Sequence, residues 1–323
     1  NHWLLAWLGL ELNTLSILPV MMKHHHPRAT EAATKYFIIQ ATAAACILFA
    51  GTINAWQTGQ WSLTHTNSTT TTTLTMIAIM MKLGVAPVHF WYPEILQGTP
   101  TSIATLIATW QKIAPLTFLY LLHNNLNPAT MLTIGLTSAV FGGWTGLNQT
   151  QARKIMAFSS IAHMGWLMVA LSLNQSLATL TIILYLASTT ATFTILTTTT
   201  TKTLLDTGTT WTMSPTMLTT ALITLLSLGG LPPLSGFMPK WLILKELATA
   251  NLTPLSIALL AASLPSLYFY TRMAYMTTLT TPPTTTNAKL KWRLTPTMTS
   301  NMTLPVMLAW LLIPMTGTLY NAT

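Results

Sequence analysis

Charged residues are scarce in this chain of 323 residues: they make up 6% of it, whereas hydrophobic residues make up 51%. A soluble domain carries roughly 25% charged residues, and so few charges cannot keep a globule of this size in water. The shortage argues against an ordinary soluble enzyme and indicates that lipid is the surrounding solvent. The mean hydropathy of +0.51 agrees with this interpretation.

Cysteine is almost absent as well. Cys46 is the only one, which excludes an intrachain disulfide, a cysteine-ligated zinc site and an iron–sulfur cluster held by this chain alone. The sequence also lacks a Gly-rich dinucleotide fingerprint, a P-loop, a zinc motif and a nucleophile elbow. We therefore predict no bound nicotinamide, flavin or ATP and no metal site on this chain.

A dense basic patch is the next missing feature. The net charge of +9 would suit nucleic acid, but the 14 Lys and Arg residues are scattered through apolar runs. No nucleic-acid partner is expected. An initiator methionine and the basic segment of a signal peptide are missing too, since the chain begins at Asn1 and is apolar from Trp3. We expect at least one further helix to precede Asn1.

Long apolar segments are what the chain has in their place. A transmembrane helix needs about 20 mostly apolar residues. Ten segments meet this requirement: 2–20, 36–55, 73–96, 101–122, 129–147, 154–173, 176–199, 217–246, 254–277 and 303–320. The sequence therefore predicts an all-α polytopic membrane protein with ten transmembrane helices, numbered here in chain order.

Basic residues lie mainly in alternate loops of this map. The loops after helices 1, 5, 7 and 9 hold most of them, whereas the opposite face holds only Lys245. By the positive-inside rule the basic face is the one equivalent to the cytoplasm. On this map the loops 21–34 and 278–302 share that face, and the loop 57–68 lies on the other.

An internal repeat is indicated by two segments broken by Gly and Pro, GVAPVHFWYPE at 84–94 and GLPPLSGFMPK at 230–240. A constant offset of 146 pairs Gly84 with Gly230 and aligns two prolines in each segment. The segments fall in helices 3 and 8, and an odd spacing of five helices means opposite orientation. Paired broken helices in inverted repeats are typical of a transport pathway, although a proline kink without function is the alternative for each break.

Four charged residues lie inside the apolar segments and away from their ends: Glu11, Lys82, Lys112 and Lys240. A charge at the bilayer centre costs about 2.5–3.5 kcal/mol on insertion scales, so each indicates function by default. Burial disfavours the charged form of Lys, which lets it take up and release a proton. A Glu–Lys pair would titrate as a coupled unit. The alternatives are a permanent ion pair that locks two helices and, for Lys240, a side chain that reaches the outer face.

Histidines add two candidates. His163 lies near the centre of helix 6, and imidazole titrates near neutral pH, which suits a proton shuttle. A buried His163 bonded to Ser159 or Ser160 is the alternative. His89, in the first break, has the same two interpretations. The run 24–26 is a solvated loop, and no pair of histidines across two helices indicates haem.

A family resemblance rests on five stretches. They are NHWLLAWLGLELNTLSILPV, PRATEAATKYFIIQATAAA, MKLGVAPVHFWYPEILQG, NQTQARKIMAFSSIAHMGW and LSLGGLPPLSGFMPKW. Together they closely resemble the subunit 2 family of mitochondrial NADH:ubiquinone oxidoreductase, complex I, in vertebrates. That family is similar to the antiporter-like subunits of complex I and to Mrp-type cation/proton antiporters.

The resemblance implies two inverted five-helix repeats with a broken helix in each. Here they would be residues 1–122, incomplete at its N-terminus, and 123–277, followed by a matrix-side loop 278–302 and a C-terminal helix within 303–323. It implies a multi-pass protein of the mitochondrial inner membrane with its basic face towards the matrix. Its partners would be the other complex I membrane subunits and the bilayer. NADH, FMN, iron–sulfur clusters and ubiquinone would belong to the assembly.

The resemblance also assigns roles. Glu11 and Lys82 would form a coupling pair, Lys112 a connecting site and Lys240 a distal site, and His163 matches a further family position. The implied function is proton translocation by a subunit of an H⁺-translocating NADH:ubiquinone reductase. An Mrp-like sodium/proton antiporter subunit is the alternative, and a structural subunit with inert charges is a third.

Overall fold

The computed structural model describes residues 1–23, 25–63, 66, 68–212, 215–279, 303–311 and 317. Its secondary structure is helical throughout this described part. The α-helices in chain order are α1 Trp3–Met22, α2 Pro27–Thr58, α3 Thr69–Leu83, α4 Trp91–Gly98, α5 Thr101–Ala108, α6 Trp110–Leu122, α7 Pro128–Gly146, α8 Ala152–Leu173, α9 Gln175–Thr198, α10 Leu204–Thr207, α11 Pro215–Gly229, α12 Phe237–Thr249, α13 Thr253–Thr278 and α14 Thr303–Leu311.

Five of these helices, α1, α2, α8, α9 and α13, are long and apolar enough to cross a membrane, judged by length and composition. The predicted fold class, an all-helical membrane protein, is confirmed at this level. The predicted loop 278–302 lies outside the described residues beyond position 279, and so does most of the last predicted helix after Leu311.

Both predicted breaks are present. α3 ends at Gly84 and α11 ends at Gly230, and the two glycines have φ angles of +68° and +82°. Only glycine adopts such angles at no steric cost. The amide after each glycine donates to the carbonyl five residues back, with N···O distances of 3.0 Å for Val85 to Met80 and 3.4 Å for Leu231 to Leu226. These bonds also lie 146 residues apart, so the two breaks share one backbone geometry.

Two predicted helix boundaries are wrong. Helix 4 was expected to run unbroken over 101–122, but it is interrupted at Thr109, between α5 and α6. Helix 2 begins at Pro27 rather than near residue 36, because proline suits the first helical position and the His26 side chain accepts from the Arg28 amide. Neither feature is visible in hydropathy.

α8 is the central helix, buried around most of its circumference and packed against α7, α9, α4 and α12. Glycine makes its contact with α7 possible. A Cβ on Gly142 would lie 2.6 Å from the Ala162 nitrogen, and one on Gly165 would lie 2.3 Å from Ser138 Oγ. Small residues allow helices to approach this closely in membranes. The middle of α8, with His163, therefore lies at the centre of the bundle.

Candidate functional site

The first cluster of charges lies beside the first break. Lys82, in the last turn of α3, is buried, and its Nζ has no hydrogen-bond partner in the described part of the chain. Glu11, on α1, has one carboxylate oxygen buried without such a partner. No ion pair within 4.0 Å joins the two among the described residues, and their helices α1 and α3 both pack against α6. The coupling pair therefore stays a prediction.

Lys112, near the start of α6, is enclosed by aromatic rings. Its Nζ donates to the Tyr185 hydroxyl at 3.1 Å. The same Nζ lies 4.6 Å from the centroid of the Tyr92 ring and 5.2 Å from that of Tyr185. Ring faces attract cations, most strongly where water is excluded. Lys112 is therefore stabilised without a carboxylate contact.

The break at Thr109 shapes this cluster. A continuous α-helix would bond the Lys112 amide to the Ala108 carbonyl, but that amide donates to Thr109 O at 3.3 Å. The Ala108 carbonyl accepts from the Tyr185 hydroxyl instead, at 3.0 Å. The interruption therefore provides a free carbonyl at the depth of Lys112, and a side chain from α9 satisfies it.

A small cavity connects this cluster to the second break. Its volume is about 30 Å³, and a water molecule needs roughly 10–15 Å³ by the same measure, so it has room for one or two waters. Its polar lining consists of His163, Thr181, Tyr185, Ser188, Ser227 and Lys240. The His163 and Tyr185 rings lie 5.8 Å apart between centroids. Tyr185 thus contacts Lys112 on one side and lines the cavity on the other.

Lys240 folds back onto the helix that precedes the break. Its Nζ donates to the Gly229 carbonyl at 3.0 Å, at the negative end of α11. Lys240 is half-buried and lines the cavity, which does not favour the alternative of a side chain that reaches the outer face. The serine alternative for His163 is wrong. His163 Nε2 lies 3.4 Å from the Tyr270 hydroxyl, whereas the Ser159 and Ser160 hydroxyls donate to the carbonyls of the preceding turn.

The structure brings the five predicted residues into two groups. Lys112 contacts Tyr185, and His163 and Lys240 line the cavity with Tyr185, whereas Lys82 lies in the last turn before the first break and Glu11 lies on α1. α6 packs against both α1 and α3, which places the helix of Lys112 next to the helices of the first group. No hydrogen bond or ion pair joins the two groups within the described residues.

Two other candidates are accounted for locally. His89 is buried, with Nδ1 3.3 Å from the Pro87 carbonyl and its ring stacked on Phe90. Glu94 faces outwards, and its carboxylate lies 2.8 Å from Lys35 Nζ. Lys35 also lies 2.7 Å from Glu31, as the spacing of four residues predicts. We find no cluster of three or more potential metal ligands among the described residues.

Three tyrosines escaped the sequence analysis: Tyr185, Tyr92 and Tyr270. Each tyrosine is buried and places a hydroxyl group inside the helical bundle. The available signal was a phenol near the middle of an apolar segment, where a buried hydroxyl needs a partner. A hydropathy profile does not distinguish such a tyrosine from other core residues, so the sequence indicated its role only weakly.

Two family descriptions match the chain. Residues 1–266 match the family described as NADH:quinone oxidoreductase/Mrp antiporter, TM, and residues 267–320 match the NADH dehydrogenase subunit 2 C-terminus. NADH-ubiquinone oxidoreductase chain 2 of Formosania lacustris is 49% identical, with 99% of this chain and 92% of the relative covered. The Carassius auratus protein of that name is 48% identical, with 100% of this chain and 93% of that relative covered.

The chain belongs to the NADH-ubiquinone oxidoreductase chain 2 family. It is a proton-translocating membrane subunit of the multi-subunit complex I oxidoreductase. The structure of respiratory complex I from Thermus thermophilus with bound aureothin contains a chain that matches with a TM-score of 0.81. The two are 26% identical, and 97% of this chain and 75% of that chain are covered.

The Mrp alternative has weaker support. A chain of the Mrp complex from Dietzia sp. DQ12-45-1b matches with a TM-score of 0.77 but only 15% identity, over 89% of this chain and 59% of that chain. That likeness shows a common fold and no more. The identity to chain 2 relatives is about three times as high, so the complex I family takes precedence.

Proposed function

We propose that Glu11, Lys82, Lys112, His163 and Lys240 form the proton pathway of this subunit. The observation that carries the proposal is the continuity around Tyr185. The Tyr185 hydroxyl contacts the Lys112 ammonium, and the Tyr185 side chain lines the same water-sized cavity as the other two residues of the second group. Lys112 is buried and Lys240 lines the cavity, and lysines shielded from water can take up and release a proton.

The pathway works by charge. Glu11 favours the charged form of Lys82 through space. When that influence weakens, the proton of Lys82 is released towards Lys112 across the α3–α6 contact. From Lys112 the proton passes to the cavity, where His163 and water carry it to Lys240. Buried charges interact strongly because little water screens them.

The topology that goes with this pathway keeps the ten predicted transmembrane segments. They form two inverted repeats, 1–122 and 123–277, followed by the loop 278–302 and a last helix within 303–323. The membrane is the mitochondrial inner membrane, and the basic face is towards the matrix. Protease digestion of intact and inverted vesicles tests this: cleavage of 57–68 and 278–302 from the same side would refute the map.

The chain carries no redox group in this scheme. NADH, FMN, iron–sulfur clusters and ubiquinone are bound elsewhere in the assembly, and the neighbours of this chain are other membrane subunits. Isolation of the chain's native complex tests this part. Flavin and iron–sulfur proteins among its partners would support the assignment of the redox groups to other subunits, and their absence would contradict it.

The central experiment compares Lys112→Met and Lys240→Met with Lys245→Met in the purified, reconstituted complex. Lys245 is an exposed lysine on the same helix as Lys240, so it is a matched control. The two buried variants should lose proton pumping, by about tenfold or more, while NADH oxidation by artificial acceptors stays near normal. Glu11→Gln should lower pumping in the same way.

The outcomes separate three cases. Full pumping in both buried-lysine variants would mean that the charges are inert. Loss of artificial-acceptor activity would point to failed assembly, which the amount of complex on a native gel checks independently. Equal loss in Lys245→Met would mean that any lost lysine has this effect, which would remove the argument for a specific pathway.

A further inference from the structure

The Tyr185 hydroxyl makes two hydrogen bonds of opposite sense. It accepts from Lys112 Nζ at 3.1 Å and donates to the Ala108 carbonyl at 3.0 Å. A tyrosine hydroxyl has a single proton to donate. While that proton points at Ala108, the hydroxyl cannot donate into the cavity that its own side chain lines. The side chain therefore separates Lys112 from the cavity in this structure.

The carbonyl that holds this proton exists because of the interruption at Thr109. The Lys112 amide bonds to Thr109 O, which leaves the Ala108 carbonyl free of its helical partner. A buried carbonyl without a hydrogen-bond partner costs free energy, so the hydrogen bond from the Tyr185 hydroxyl to the Ala108 carbonyl is favoured. A carbonyl cannot accept the proton covalently, and the chain of donors ends at that atom.

We propose that Tyr185 is the gate for proton transfer between Lys112 and the cavity shared by His163 and Lys240, a role that rests on the proposed function. The gate is closed when the hydroxyl donates to Ala108 O. It opens when rotation about the Cζ–O bond turns the proton towards a cavity water or towards a neutral His163 nitrogen. The interruption in α5–α6 is thus part of the gate.

The step balances. In the open orientation a proton leaves Lys112 Nζ and forms a bond to the Tyr185 oxygen. The original hydroxyl proton leaves that oxygen at the same time and binds to a water of the cavity or to imidazole. Lys112 becomes a neutral amine, Tyr185 keeps one proton, and the acceptor gains one positive charge. Rotation back to Ala108 O then prevents return.

The decisive variant is Tyr185→Phe in the assembled complex, reconstituted into vesicles. It keeps the ring that faces Lys112 and removes only the hydroxyl. Tyr268→Phe is the matched control, because Tyr268 is 57% exposed on the neighbouring bundle surface. Pumping in Tyr185→Phe should fall about tenfold, with artificial-acceptor activity retained. The solvent deuterium isotope effect on pumping should rise, since proton transfer becomes limiting, and it should not change in Tyr268→Phe.

A second variant covers the case in which Tyr185→Phe does not assemble. Tyr185→His keeps a side chain that can accept from Lys112 and donate to the cavity. Pumping should persist but acquire a new dependence on pH between about 6 and 8, where imidazole titrates. The titratable groups that face this position are Tyr92 on α4, Lys112 on α6, His163 on α8, Lys240 on α12 and Tyr270 on α13.

Two results would overturn the gate. One is full pumping with an unchanged isotope effect in Tyr185→Phe. The other is a Tyr185→His variant whose pH profile matches that of the unmodified complex. Failure of the proposed function is a different result, since Lys112→Met would then pump normally. If the pathway is correct but Tyr185 is not its gate, Lys112→Met should lose proton pumping and Tyr185→Phe should pump normally.

Discussion

The two broken helices share one backbone geometry but place their cations differently. Gly84 and Gly230 end their helices with the same positive φ. At the first break the cation, Lys82, comes before the glycine, and its Nζ has no hydrogen-bond partner among the described residues. At the second break Lys240 comes after the glycine, and its Nζ donates to the Gly229 carbonyl.

This difference decides how each charge is stabilised. At the first break the proposed partner of Lys82 is the Glu11 carboxylate on another helix, and no hydrogen bond or ion pair joins the two in the described part of the chain. At the second break the end of α11 itself supplies a carbonyl and the negative end of its dipole. We therefore expect substitutions at the first break to act mainly through charge and those at the second break through geometry.

The largest effect expected from this comparison is in Gly236→Ala. A Cβ at Gly236 would lie 1.8 Å from the Ser227 carbonyl oxygen, which the backbone cannot relieve without opening the break. The equivalent position at the first break, 146 residues earlier, is Phe90, which is 75% exposed. Gly236→Ala should destabilise the subunit by about 3 kcal/mol or more, whereas Phe90→Ala should be tolerated. The amount of assembled complex and its melting temperature measure this.

The matched pair makes the test strict. Normal assembly of Gly236→Ala would show that the second break is loose, and an equal loss in Phe90→Ala would show that both breaks are packed alike. Either result would contradict the expectation that substitutions at the second break act through backbone geometry.

An intermediate effect is expected from two double-mutant cycles. Glu11→Gln combined with Lys82→Met should deviate from the product of the single effects on pumping by about fivefold, close to 1 kcal/mol of coupling. Glu11→Gln combined with Lys240→Met should lower pumping little more than the more severe single variant does, because the two residues act at different steps of one proposed pathway. Pumping rates of the purified complex, normalised to artificial-acceptor activity, give both values.

The two cycles can fail independently. A multiplicative effect of the Glu11 and Lys240 substitutions would mean that the two groups act independently, which would contradict the single proposed pathway. No coupling of Glu11 to Lys82 would leave the buried Lys82 without its electrostatic partner, and another charge would then have to be sought.

The smallest effect is expected at the exposed end of the first break. Lys35 contacts Glu31 and Glu94, but the side chains are 41%, 61% and 56% exposed, respectively. Exposed ion pairs are screened by water and salt and contribute little. Lys35→Met should therefore leave pumping and assembly unchanged within assay error, at low and high salt. A severe loss of pumping would mean that the first break also acts through this exposed pair.

Much of the fold was predictable from local signals. Segment lengths, the scarcity of charge and the Gly–Pro runs indicated helices, a membrane and the two breaks, because hydropathy and backbone freedom act within a few turns. The intramembrane charges Glu11, Lys82, Lys112 and Lys240 were visible for the same reason. The break at Thr109 was not, since neither glycine nor proline marks it.

The sequence by itself determined which residues carry charge inside the bundle and where two helices must stop. Tertiary structure decided what those charges contact. Tyr185 lies 73 residues from Lys112 and looks like any phenol in an apolar helix until α9 packs against α5. The exposed position of Glu94 and the backward fold of Lys240, at equivalent positions of the two breaks, were decided in the same way. The reason is physical: burial and chain stiffness depend on neighbours in sequence, whereas a hydrogen bond between distant helices depends on how the whole bundle packs.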